Sequence, residues 1–477
     1  MGGDLWSVGQ WLALVEYELL LFAGVFFLIG AADEFAIDLI YIFKRWRGEL
    51  RTLVLSTRNL HHRQLSGVAA VMIPAWREDK VIGHTVAHAL SAWPYADLRI
   101  YVGCYANDPA TLEAAMRAAC GDPRLRIVVN AKHGPTSKAD CLNRVYEAMI
   151  QDEQRTGRQV RMVLLHDAED MVDPAALPLL DRAIERAEFV QLPVLPVPQP
   201  DSRWIGSHYC EEFAEAHGKG MVVRAALATG LPAAGVGCAF ERGMLAEMER
   251  QRGKNGPFGE RSLTEDYELG LRVALAGGRS RFLRVRDEAG VLVATRAYFP
   301  SDIASAVQQK SRWVHGIALQ GWDRLGWSRG VGECWMRLRD RRGPFAALVL
   351  FSGYLLLMLG MVSFLLRQFG FGVVWKPDAL LLWLLGLNLA SFIWRAAMRY
   401  AFTAREYGRA EGLRAVMRIP VANVVSIMAG RRALFAYLRT LGGAAPIWDK
   451  TEHDAHPAKA FAKSDVNAHS PLGEVVK

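Results

Sequence analysis

Three short stretches carry residues whose types and spacing could do chemistry. His166-Asp167-Ala168-Glu169-Asp170 follows an apolar run. Carboxylates two positions apart on such a turn can hold a hard divalent cation, with phosphate oxygens and water filling its other positions. A solvated acidic loop capping the next helix uses the same residues without a metal. Leu263 to Gly278 opens with Thr264, Glu265 and Asp266, a capping pattern in which the helix dipole favours ionised carboxylates. An ionised Asp266 facing a cleft can take the proton of a hydroxyl as general base. Gln309, Arg312 and Trp313 spell QxxRW on neighbouring parts of one helix surface. There Arg312 can grip a diphosphate and Trp313 can stack on a sugar ring, although an interfacial helix also places Trp and Arg at headgroup level.

Weaker signals surround these. Lys138 and Asp140 in TSKADCLN can contact a nucleotide, or simply cap and solvate a helix start. Gly235 and Gly237 in GVGCAF allow a ligand close to the backbone, or form a plain turn. His61 with His62, and His84 with His88, lack an evident third metal ligand. The sequence has no GxxxxGK[ST] phosphate loop.

The elements that must position these residues are strands alternating with helices. Val68–Ile73, Leu98–Val102, Leu125–Val129, Val160–Leu165 and Phe189–Leu192 are the expected strands. Helical patterns over Lys80–Ala92, Ala110–Ala119, Ser137–Gln154 and Pro174–Ala187 lie between them. One-helix intervals imply right-handed crossovers and a mostly parallel sheet covered on both faces, an α/β fold whose ligands bind beyond the strand carboxyl ends. PAWRED (74–79), GCYANDP (103–109) and HDAEDMVDP (166–174) all follow strands.

The chain has 477 residues, with 57 Lys and Arg against 49 Asp and Glu, a net charge of +8 that is too modest to imply nucleic-acid binding. Its six cysteines show no metal-ligand spacing and fit a reducing compartment. The apolar runs are confined to the two ends. Leu19–Ala32 and the run resuming at Phe35 form one long tilted helix carrying Asp33 and Glu34, retained as a membrane anchor. Pro344–Leu366 and Ala379–Trp394 are the strongest spans, and Arg337, Arg339, Arg341 and Arg342 before them with Arg395, Arg399, Arg405 and Arg409 after them place the central segment in the cytoplasm. Ile419–Ala429, flanked by arginines, is expected to be interfacial or re-entrant. The resulting division is an N-terminal transmembrane helix (1–47), a cytoplasmic domain (48–342), two transmembrane helices (343–398), basic interfacial helices (399–450) and a disordered tail (451–477).

Taken in order, PAWRE, NDP, DAED, TED and QKSRW resemble the membrane-embedded family 2 glycosyltransferases, the group containing cellulose and hyaluronan synthases. The wording VGCYANDPAT and HDAEDMVDP is similar to the bacteriophage adsorption protein B type within that group. The resemblance implies a GT-A-like fold in the bacterial inner membrane, multi-pass, with its catalytic domain cytoplasmic. It implies a nucleotide-sugar donor, a glycan or lipid-linked acceptor, inversion at the anomeric carbon, Mg2+ or Mn2+, and possible processivity. By position, Glu78, Asp108, Lys138, Asp140 and Asp167 would bind the nucleotide sugar. Asp167 and Glu169 would hold the metal, with Glu169 or the adjacent Asp170 completing that site. Asp266 beside Glu265 would supply the catalytic base, and Gln309, Arg312 and Trp313 would hold diphosphate and acceptor. The competing expectation is a non-catalytic scaffold of an envelope export or phage-entry complex; a transporter fits less well, because the spans are few and the two C-terminal ones contain no internal charge.

Overall fold

Strands buried on both faces must be apolar throughout, and the first sheet strand, β1 (Val68–Pro74, VAAVMIP), buries every residue except Pro74. The computed structural model describes residues 7–56, 64–253, 256–370, 376–443, 450, 453 and 455–458; His61, His62 and most of the tail expected to be disordered lie outside them. With β2 (Leu98–Tyr105), β3 (Leu125–Asn130), β4 (Val160–Leu165), β5 (Phe189–Gln191), β6 (Cys238–Glu241) and β7 (Ser280–Phe282), β1 forms a seven-stranded sheet in the order β3-β2-β1-β4-β6-β5-β7. Strands β3, β2, β1 and β4 are mutually parallel, whereas β6 runs antiparallel to both β4 and β5.

The strand-helix alternation expected from sequence is present. Long helix α1 (Val8–Trp46) precedes the sheet, and α2 (Ile82–Ala92), α3 (Pro109–Ala119), α4 (Lys138–Thr156) and α5 (Ala176–Ala183) connect its strands. Two apolar layers result. One gathers Val71, Ile73, Val86, Ile100 and Leu164 under α2, α3 and α5; the other gathers Met72, Leu142, Val145, Val163 and Phe240 under α4. Leu164 is fully buried, and truncating such a side chain to Ala costs about 2–5 kcal/mol.

Beyond β5 the chain forms α6 (His208–Glu215), α7 (Glu265–Leu275) and α8 (Ile303–Trp313). It then forms α9 (Gly343–Gln368), α10 (Ala379–Tyr407) and α11 (Ile419–Leu441). Among the described residues four helices, α1, α9, α10 and α11, are long and apolar enough to cross a membrane. The stretch expected to be a short interfacial segment is therefore the first half of a 23-residue helix. Its apolar pattern resumes beyond Arg431 and Arg432 with Ala433, Leu434 and Phe435, so the arginine pair does not end it.

The acidic residues inside α1 have partners outside it. Glu34 lies 2.9 Å from Arg339, Trp335 Nε1 donates to Asp33 at 2.6 Å, and Trp394 Nε1 donates to Asp38 at 2.8 Å. Lys219 also pairs with Asp38. Charges in an apolar helix are tolerated when paired this way, and these pairs fasten α1 to the sheet domain and to α10.

Candidate active site

Because β1 and β4 are adjacent and parallel, the loops leaving them open side by side, and a cavity of about 310 Å³ lies there. Glu78 enters from the loop after β1, Asp167 and Glu169 from the loop after β4, and Lys138 from the first turn of α4. Antiparallel β6 reaches the same edge by its beginning, which brings the Gly235-Val236-Gly237 turn beneath the start of α7. Gly235 has φ +76°, and a Cβ there would lie 2.1 Å from Asp266 Oδ2. Only glycine leaves room for that carboxylate. The buried Gln191 amide holds the turn, donating to Val236 O at 2.9 Å and accepting from Ala234 N at 2.8 Å.

Asp266 and Glu265 occupy the N-terminus of α7. Thr264 stands at the cap position without a side-chain cap bond; instead Tyr267 N donates to Asp266 Oδ1 at 2.7 Å. After α8 the chain runs through a π-helical turn, Val314–Gln320, a distortion frequent at functional sites. It comes so close that a Cβ on Gly316 would lie 2.5 Å from Thr264 Oγ1, and Gln320 Oε1 accepts from Leu263 N at 3.1 Å. The QxxRW helix thereby positions the TED motif directly.

Lys138 is the central cation, 2.6 Å from Asp167 and 3.8 Å from Glu265. Burial acts to lower its pKa, but Asp167, Glu265 and Asp266 outweigh that and keep it charged. Burial pushes the Glu265 carboxyl up to about 7 against the pull of Lys138, and raises Asp266 by the same opposition. Gln309, Arg312 and Trp313 line the same cavity. The Gln309 Oε1 is buried without a hydrogen-bond partner among the described residues. Trp313 packs at 6.1–6.3 Å from the rings of Tyr209, Phe213 and Phe299, an aromatic wall on the side of α6 and α8.

The turn after β4 separates the two acids left open by sequence. Asp170 Oδ2 accepts from Asp167 N at 3.0 Å and lies 2.8 Å from His166 Nδ1, so Asp170 ties the turn together. Glu169 instead lies 3.2 Å from His453 Nε2. Burial pushes Glu169 up to about 8 despite His453, while burial of His453 is outweighed by Glu169 and Glu78, which lift it to about 9.

Two sequence-selected residues stand apart from the others. Asp108 and Asp140 are not among the described residues lining the cavity. Asp108 Oδ2 accepts from Arg77 N at 2.6 Å, fixing the β1 loop where Arg77 has φ +52°. Asp140 pairs with Lys132 at 2.5 Å. Both act on loops bordering the cavity. His84 and His88 do not form a metal pair either, since His88 Nε2 lies 2.9 Å from Val172 O. Sequence reasoning passed over His217, Phe213, Lys450 and His453, all of which line the cavity. An aromatic-rich HYCEEFAEAHGK stretch was the available signal for the first two; the tail offered none.

The sequence pattern described as "Glycosyltransferase like family 2" matches residues 67–316. The chain belongs to that family. This glycosyltransferase-like protein is 34% identical over 491 aligned positions to bacteriophage adsorption protein B of Escherichia coli K12, and equally to bacteriophage N4 adsorption protein B of Escherichia coli O157:H7. Those alignments take in 98% of this chain, which spans 65% of the length of each relative. Among solved structures, the mannosyltransferase PcManGT from Pyrobaculum calidifontis, in complex with GDP-Man and Mn2+, is similar at TM-score 0.47 and 15% identity, over 87% of this chain and 99% of that one.

Proposed function

We propose that the chain transfers a sugar from a nucleotide-sugar donor to a glycan or lipid-linked acceptor at the bacterial inner membrane, with inversion and with the sheet domain on the cytoplasmic side. The observation that carries this reading is the meeting of Lys138, Asp167, Glu169, Asp266 and Arg312 around one cavity, from stretches that are far apart in the chain. Two cationic side chains suit a departing diphosphate, and a carboxylate opposite them suits deprotonation of an attacking hydroxyl.

Lys138 and Arg312 bind and orient the diphosphate of the donor. Asp266 accepts the acceptor's hydroxyl proton as its oxygen attacks the anomeric carbon from the face opposite the leaving group, and Glu265 sets the charge around that base. The aromatic wall of Trp313, Phe213 and Phe299 offers a stacking face for an acceptor sugar. Asp167 and Glu169 suit a divalent cation, since carboxylate oxygens are the ligands Mg2+ and Mn2+ prefer. When bound, Mg2+ or Mn2+ neutralises charge on the diphosphate. Several buried carboxylates around one cleft have no use in a mere scaffold.

The test is nucleoside diphosphate release by the detergent-purified protein with a panel of nucleotide sugars, Mg2+ or Mn2+, and membrane-extracted acceptors. Release with one donor, abolished in Asp266→Asn, is the expected result; no release with any donor, or full release by that variant, overturns the reading.

A further inference from the structure

Two helical rows reach the cavity at a spacing of four residues. Phe213, His217 and Met221 come from α6 and its continuation, and Gln309, Trp313 and Ile317 from α8 and the π-helical turn after it. Phe213 and Trp313 meet ring to ring at 6.2 Å, so the rows stand against each other. Each row holds one polar residue. His217 sits in a π-helical turn of its own, Ala216–Gly220, and is buried. Its Nδ1 accepts from Val194 N at 2.8 Å, and since a backbone N–H can only donate, Nδ1 carries no proton. Burial, with Arg284 beside it, pushes the ring's pKa down to about 4 and keeps it neutral near pH 7. The single ring proton is therefore on Nε2. That nitrogen has no hydrogen-bond partner among the described residues and, unlike Nε2 of His166, His208 and His315, is not closed off; its open side is the cavity that His217 lines. Gln309 Oε1 is the complementary atom, a buried acceptor without a partner among the described residues. Neither row carries a charge, and the cations behind them are engaged, Arg284 with Glu406 and Lys310 with Glu212.

We propose that His217 is an acceptor-binding residue: its Nε2–H donates to one hydroxyl of the acceptor's terminal sugar while Gln309 Oε1 accepts from another, so that the slot between the two rows selects an uncharged sugar. The inference rests on the glycosyl-transfer reading and names the acceptor class within it. A sugar hydroxyl both donates and accepts, which suits a fixed N–H on one wall and a fixed carbonyl on the other. The rings of Phe213 and Trp313 cover the apolar C–H faces of the pyranose. A uronate or a free amine loses its hydration in this slot and finds no countercharge in either row, a cost that a hydroxyl or N-acetyl group avoids.

The experiment measures nucleoside diphosphate release by the full chain in detergent against the concentration of membrane-extracted acceptor, and separately against that of the donor. His217→Asn keeps an oxygen in the place of Nδ1 for Val194 N and removes the proton donor. It is expected to raise the acceptor KM about tenfold, with a smaller change in donor KM. His217→Gln carries an amide N–H to the place of Nε2 and is expected to recover most of that loss, a rescue that a purely structural role does not give. Methyl glycosides of glucose, N-acetylglucosamine, glucosamine and glucuronic acid are then added as competitors. The two uncharged ones are expected to inhibit transfer at least about tenfold more strongly than the two charged ones. An unchanged acceptor KM in His217→Asn, or donor and acceptor KM rising alike in it, overturns the inference. So do charged competitors as effective as uncharged ones, or no competition by any of the four. Those outcomes leave the glycosyltransferase reading standing, whereas no release from any donor by the unaltered chain overturns both.

Discussion

The Lys138 ammonium stands 2.6 Å from Asp167 Oδ1 and joins the first turn of α4 to the loop after β4. Its next neighbour, Glu265, opens α7. A single cation thus offsets carboxylates from two separate elements.

Replacing Lys138 by Met leaves those carboxylates without their counter-charge. We expect about 2–3 kcal/mol of lost stability, at the low end for a broken ion pair because the Asp167 side chain keeps 32% of its exposure. Thermal unfolding measures this. The double variant Lys138→Met, Asp167→Asn is expected to lose less than the sum of the singles, and strict additivity would show that the two groups are not coupled.

Asp266→Asn keeps the shape of the side chain and removes the base. The expected loss is about 10²–10⁴-fold in kcat with little change in donor KM. Nucleoside diphosphate release against donor concentration separates the two parameters.

The acidic pair at the start of α7 gives a pH dependence of defined sign. Burial holds Glu265 up at about 7, and Asp266 is raised as well. A base must be ionised, so kcat/KM falls with falling pH along a limb that the raised Asp266 carboxyl places above the range of an ordinary aspartate, approaching about tenfold per unit. Repulsion between the two acids is mutual, so Glu265→Gln is expected to shift this limb to lower pH. A limb left in place in that variant assigns it to another group.

Gly235 and Gly290 make a controlled pair. Both have positive φ, +76° and +81°, but a Cβ at Gly290 meets nothing within 4 Å, whereas one at Gly235 meets the Asp266 carboxylate. Each change to Ala costs about 1–2 kcal/mol of backbone strain. Only Gly235→Ala is expected to abolish transfer, read by product release at equal amounts of folded protein.

The strands were legible because burial on both faces demands unbroken apolar runs, as in Val68–Ile73 and Val160–Leu165. β6 was not, since four residues of CAFE carry no period and its antiparallel direction follows from contacts with β4 and β5. Asp167, Glu169, Asp266 and Arg312, singled out by residue type, line one cavity. Asp108 and Asp140 do not line it, because a motif does not encode which way a carboxylate turns: a backbone N–H holds the first and Lys132 the second. His453 was illegible for another reason. Its partner Glu78 lies 375 positions earlier, and no local pattern signals a contact of that range.

The fastening of α1 also sets an order of assembly. Asp33 and Glu34 are made about 300 residues before Arg339 and Arg342, which neutralise them. A nascent chain halted before residue 339 therefore carries an apolar helix with two acids and none of these arginine partners, so α1 is locked in place only after the helices that follow it by about 300 residues have been made.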